Sequence, residues 1–150
     1  MSLKETLQAD LNSAIKSRNS VVAETIRMVL TAITNEEVAG KEKKALSDAE
    51  IITVLTREAK KRREAAEAFD AGGRADRAAT ERAEGEVIAG YLPEQLSEDD
   101  IKKLIAETIA AVGAAGPSDM GKVMGSLKAK VAGKADGALV SSLVKEALNK

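Results

Sequence analysis

The sequence contains no cysteine and no histidine. The first absence excludes disulfides, thiolate metal sites and a cysteine nucleophile. The second removes the side chain most used for proton transfer near neutral pH and for metal binding. A zinc site would have to be assembled from Asp and Glu alone, an unfavourable donor set, so neither a metal site nor a cofactor is expected. Tryptophan is also absent, and Phe69 and Tyr91 are the only aromatic residues. The core must then be built from Leu, Ile, Val, Met and Ala. Such side chains let helices approach closely, and Ala is the strongest helix former. No apolar run approaches the roughly 18 residues of a membrane span. The N-terminus lacks the apolar segment of a signal peptide, so a cytoplasmic protein with no membrane partner is expected.

What is present suits an ordinary globular chain. At 150 residues and 44% hydrophobic composition, the chain can bury a working core. The formal net charge of −1 argues against a strongly basic nucleic-acid binder taken as a whole. The charge is uneven, however. From Ile101 to Lys150 there are eight Lys against four Asp or Glu.

Caps and apolar periodicity mark seven helical segments. The first opens at Ser2 with Glu5 three residues on, a capping box, and places Leu3, Leu7, Leu11, Ala14 and Ile15 on one face. Asn19 caps the second, whose stripe is Val22, Ile26, Val29, Leu30 and Ile33. Gly40 to Lys44 reads as a loop. Ser47 and Glu50 form a second box, opening a long third helix that carries Ile51, Leu55, Ala59, Ala66 and Phe69 and ends at Gly72-Gly73. The fourth carries Ala75, Ala79, Ala83 and Val87 and stops near Gly90. Pro93 then forbids a helix and pushes Leu92 into extended geometry. Three shorter helices follow. Ser97 with Asp100 caps the fifth, Ser118 or Asp119 the sixth, and Asp136 the seventh. Their inward faces are Ile101, Leu104, Ile105 and Ile109; Met120, Val123, Met124, Leu127 and Val131; and Leu139, Val140, Leu143, Val144 and Leu148. The expected fold is all-α. An N-terminal antiparallel four-helix bundle spans 1–92, and a small three-helix domain spans 93–150.

The sixth helix and its turns carry a candidate site. Gly121, Gly125 and Lys128 flank one side of the apolar stripe, Lys130 lies on the other, Lys122 points away, and Lys134 follows in the turn. Glycine inside a helix costs about 1 kcal/mol relative to alanine, and this helix carries it twice. Two explanations are open. Either the glycines allow close packing against the fifth or seventh helix, as small-xxx-small faces do, or they let a nucleic-acid backbone approach while lysines meet its phosphates. Without aromatics nearby, such a surface would read shape and backbone and would not stack bases.

The run Arg57-Glu58-Ala59-Lys60-Lys61-Arg62-Arg63-Glu64 on the third helix reads as a solvated face, except at Arg62. That residue falls on the apolar stripe between Leu55 and Ala66 and needs a partner. Glu86 on the fourth helix is the expected one, in a buried or half-buried pair. Glu98, Asp99 and Asp100 sit at a helix start, where anions complement the dipole. No G-x-S-x-G elbow or phosphate-binding loop with its preceding strand is present. No self-contained catalytic centre is recognisable.

Several segments together resemble the GatB/YqeY family. Thr25-Ile26-Arg27-Met28-Val29-Leu30-Thr31-Ala32-Ile33 is similar to its early helix signature. Lys61-Arg62-Arg63-Glu64 with Phe69 and Gly73-Arg74 resembles the next. Tyr91-Leu92-Pro93-Glu94-Gln95-Leu96-Ser97 resembles the interdomain motif. The most specific piece is Met120-Gly121-Lys122-Val123-Met124-Gly125 followed by Gly133-Lys134-Ala135-Asp136-Gly137. The resemblance implies a C-terminal part similar to the tail of the B subunit of the glutamine-dependent aspartyl/glutamyl-tRNA amidotransferase, where the tail contacts tRNA. It implies a link to carbon–nitrogen ligase activity with glutamine as amido-N-donor, as part of an assembly whose glutaminase and kinase-like domains are not in this chain. An amidotransferase or synthetase partner is expected on the same ground. Carried over by position, the candidate RNA-binding residues are Gly121, Lys122, Gly125, Lys128, Lys130 and Lys134. The rival expectation is a protein-interaction module, with a partner helix seated on the glycine-flanked helix.

Overall fold

A computed structural model describes residues 1–149. Those residues form seven α-helices and one 3-10 turn, with no strand among them. The chain divides into two compact units, Met1–Leu92 and Pro93–Lys150.

The first unit contains α1 (Leu3–Lys16), α2 (Ser20–Glu37), α3 (Asp48–Ala71) and α4 (Ala75–Ala89). Ser2 and Ser47 close the two capping boxes with Glu5 and Glu50, and Asn19 accepts from the Val22 N–H. Helix α1 packs on α2 and α3 on α4, each pair joined by a turn of only three residues. That is the pairing short connections favour. The turn after α1 is closed without glycine: Arg18 takes φ +59°. The core joins Leu7, Ile26, Val29, Ile33, Ile51, Val54, Leu55 and Ile88. Tyr91 and Leu92 pack on its edge. The Tyr91 hydroxyl donates to the Asp10 carboxylate. Burial and that carboxylate together push the phenol well above its usual range.

Helix α4 is rotated from the expected face, although Val87 packs on the core as expected. Its buried residues are Ala78 and Ile88, whereas Ala75 and Ala79 are exposed. Its alanines gather on one half of the helix, whereas the two larger apolar residues, Val87 and Ile88, point elsewhere, so the alanine stripe does not mark the buried face. The face against α3 carries Ala78, Glu81, Gly85 and Ile88, spaced as one side of a helix. Gly85 lies opposite Arg62, where an added Cβ would stand 3.7 Å from the arginine Cβ. This rotation corrects the expected ion pair. Arg62 Nη1 lies 3.2 Å from Glu81 and 3.3 Å from Glu84, while Glu86 is exposed on another side of α4. The guanidinium is 19% exposed, so its two carboxylates stand in place of lost water.

Two further carboxylates are buried against the same core. Glu37 is 4% exposed and takes the Lys4 ammonium at 2.9 Å. Glu58 is buried beside Lys61, at 3.1 Å. The Lys4 hydrogen bond is the main reason the Glu37 carboxyl titrates below its ordinary value.

The second unit contains α5 (Glu98–Val112), the 3-10 turn Pro117–Asp119, α6 (Met120–Val131) and α7 (Gly137–Leu148). Each helix packs on the other two. Their core is Ile101, Ile105, Val123, Leu127, Val131, Val140, Leu143, Val144 and Leu148, with Leu96 against it. The segment after Pro93 is tied to the turn following α6. The Leu96 N–H donates to the Lys134 carbonyl at 2.9 Å, and the Gln95 amide donates to the Gly133 carbonyl at 2.8 Å.

Three outcomes test this packing. Substituting Arg62 with Met and Glu81 with Gln, singly and together, should give a coupling of roughly 0.5–3 kcal/mol in denaturant unfolding. Glu86→Ala should stay within about 0.5 kcal/mol of the parent. For Lys4→Met, the folded Glu37 value lies below the ordinary 4.5, so the ion pair's contribution is complete above that pH and fades as the pH falls through the lowered value. The stability gap between parent and Lys4→Met, measured by thermal unfolding, should be largest near neutrality and shrink towards acid pH.

Candidate nucleic-acid interface

Helix α6 is held by one narrow stripe. Val123, Leu127 and Val131 are buried, with Met120 and Met124 beside them. The remaining circumference faces outward. Gly121, Lys122, Gly125, Ser126, Lys128, Ala129 and Lys130 are all exposed.

The two glycines decide between the explanations offered for them. A Cβ built at Gly121 or at Gly125 meets no atom within 4 Å. Neither glycine is there to let a neighbouring helix close in. In a helix, Gly121, Gly125 and Lys128 recur at i, i+4 and i+7, so they share one strip of surface. Along that strip the backbone lies bare at two points that any side chain could have covered.

The lysines are arranged less tightly than the sequence suggests. Lys128 belongs to the glycine strip. Lys122 is on the adjoining part of the outward face, and Lys134 is exposed in the turn after the helix. Lys130 falls on the far flank of the buried stripe, so the fold does not bring it into the same strip. None of the four forms an ion pair within 4 Å among the described residues, unlike Lys4, Lys44, Lys61 and Lys102. Helix α6 carries no carboxylate at all. Lys128 and Lys130 lie in its last turn, where cations complement the helix dipole. Lys122 lies in the first turn, where the dipole opposes it.

The nearby acids make their hydrogen bonds elsewhere, although the Lys122 charge also acts on Asp119. Asp119, expected as a possible cap of α6, makes no side-chain cap bond to it. Its carboxylate instead accepts the Ala115 N–H at 2.8 Å, and that bond holds its carboxyl below the usual range. Asp136 caps α7 through the Ala138 N–H at 3.0 Å. Gly133 takes φ +71°, the left-handed conformation that ends a helix without strain. The Lys134 carbonyl that follows is pinned by the Leu96 N–H. Among the described residues no cluster of three or more His, Asp or Glu could hold a metal.

Comparison with known proteins adds the family. The model of the family described as Yqey-like protein matches residues 4–148. The chain belongs to the YqeY-like family. Among its relatives is "Altered inheritance of mitochondria protein 41, mitochondrial" of Pyrenophora tritici-repentis, 29% identical over 93% of this chain and 77% of the relative. Proteins of the same name from Candida glabrata and Clavispora lusitaniae are 30% and 31% identical, over 68% and 75% of this chain. This YqeY-like chain spans 57% and 65% of those two relatives' lengths. All three carry a mitochondrial name, whereas the sequence alone leads to an expectation of the cytoplasm. No described helix of the chain is long and apolar enough to cross a membrane.

If the glycines serve no packing purpose, filling them should stabilise the fold. Gly121→Ala and Gly125→Ala should each raise the unfolding free energy by about 0.5–1 kcal/mol. Denaturant titration of the full chain checks this, and a loss of stability in either variant would mean that the bare strip is required by the fold.

Proposed function

We propose that the chain is a tRNA-associated accessory protein that docks folded tRNA on the outward face of α6. The observation that carries this reading is the open strip of Gly121 and Gly125, with Lys128 on it, Lys122 on the adjoining face and Lys134 exposed in the turn that follows. Bare backbone allows a phosphate chain to come close, and unpaired ammonium groups supply charge where it arrives. The glycines cost helix stability and meet no neighbour, so fold stability does not account for them. The C-terminal unit lacks aromatic residues, which favours backbone and shape over stacked bases.

Resemblance of this unit to the amidotransferase B-subunit tail supports a link to glutamine-dependent amidation of tRNA-bound amino acids. In that reading the chain supplies tRNA contact within an assembly and no catalysis of its own. The N-terminal helices, read as an antiparallel four-helix bundle, would be offered to an amidotransferase or synthetase partner. Transfer RNA occupies both the cytosol and the mitochondrial matrix, so the proposed role holds in the cytoplasm and in the compartment named for the relatives.

Replacing Lys122, Lys128, Lys130 and Lys134 with Ala should weaken tRNA binding and flatten its dependence on salt. Each ammonium–phosphate pair removed takes about one unit from the slope of log K against log salt, so with Lys130 off the strip the fourfold variant should fall by about 3. Lys130→Ala alone should change least, because it sits off the strip. Fluorescence anisotropy with labelled tRNA at several salt concentrations reads both quantities. Unchanged affinity in the fourfold variant would refute the proposal. Binding of a protein from extracts that survives ribonuclease and the fourfold substitution would favour the interaction-module alternative.

A further inference from the structure

Helices α5 and α7 leave a groove of about 410 Å³ on the surface of the C-terminal unit. Ile105, Ile109 and Leu143 form its apolar lining, and the hollow exists because Ala106 and Ala147 fill so little of it. Lys102 on α5 and Glu146 on α7 also line it, one cation and one anion. No residue of α6 contributes.

We propose that this groove is a self-association surface, occupied by the same surface of a second copy of the chain. A two-fold axis along the groove exchanges α5 and α7 between copies, so each Lys102 approaches the Glu146 of the other copy. A patch that bears both charges is complementary to itself; one with a single sign would repel its copy. The apolar part fits the same arrangement. Leu139, expected on the inward face of α7, is instead the one large hydrophobic side chain found exposed among the described residues of this unit, at 39%. It lies on α7 one turn before Leu143, so it extends the apolar edge of the groove that the second copy would cover. The present partner of Lys102 does not oppose the exchange. Its ion pair with Glu98 at 3.5 Å joins two side chains more than half exposed, a kind of pair that contributes little stability. Because α6 takes no part in the groove, the pair of copies would carry two free glycine strips.

The absence of cysteine makes the test direct. Full-length K102C and E146C variants, mixed and mildly oxidised, should form a disulfide-linked heterodimer faster than K102C alone links to itself. Lys16→Cys on α1 serves as the surface control and should link to neither. Sedimentation equilibrium should show concentration-dependent dimers of the parent. K102E and E146K should each weaken association about tenfold or more, and the double reversal K102E/E146K should recover it. Lys16, Lys102 and Glu146 are all exposed, and circular dichroism checks that the variants fold. A parent that stays monomeric at roughly 0.5 mM, where even a millimolar association would register, overturns the proposal. Dimers indifferent to both reversals, or heterodimer cross-linking no faster than that of the Lys16→Cys control, overturn it as well.

Discussion

Burial of a single aliphatic stripe, Val123, Leu127 and Val131, sets the orientation of α6 and through it the surface of the C-terminal unit. A helix that buries only one narrow side must present everything else to solvent. The register of that stripe therefore sends Gly121, Gly125 and the lysines outward as a geometric consequence. Shifting the stripe by one residue would rotate the helix by about 100° and carry the glycines towards its neighbours. The core and the candidate surface of this helix are two faces of one register.

Several cations of the N-terminal unit are instead held in ion pairs. Arg57, Lys61, Arg62, Arg74 and Arg82 each lie against a carboxylate. Lys4 does the same for Glu37. With almost no aromatic volume available, α3 and α4 close through Ala66, Ala78 and Gly85, and polar side chains fill the space around them. Charges there are structural partners. The α6 lysines have no such partner among the described residues. Lys102 in the C-terminal unit is paired with Glu98 as well, so the contrast belongs to α6 and the turn after it.

Much of the helical order is legible in the sequence because local chemistry announces helix ends. Serine followed three residues later by Glu or Asp marks α1, α3 and α5, and the apolar stripe of α6 is plain in its spacing. Two kinds of feature escape such a reading. Helix α4 gathers its alanines on a side that is largely exposed, so the alanine stripe misdirects, and the partners of Arg62 are misassigned with it. Buried Glu37 and Glu58 look like solvated charges, although both continue an apolar spacing: Ile26, Val29, Ile33, Glu37 on α2, and Ile51, Leu55, Glu58, Arg62 on α3. A charge in phase with a buried stripe is the signal that could have found them. For the candidate site, spacing identifies the residues but cannot say whether the glycines are covered. That depends on the distance to neighbouring helices, which no pattern within α6 encodes. Lys130 separates from the other lysines only because the buried stripe lies between it and the glycine strip.

The most direct measurement follows the backbone amides of Gly121 and Gly125 by nuclear magnetic resonance while unmodified folded tRNA is added to the full chain. Docking through the bare strip predicts that both glycine resonances shift or broaden early in the titration, together with those of Lys122 and Lys128, and that added salt reverses the change. Glycine amides that stay unmoved while other surfaces respond, or no response anywhere at saturating tRNA, would contradict it.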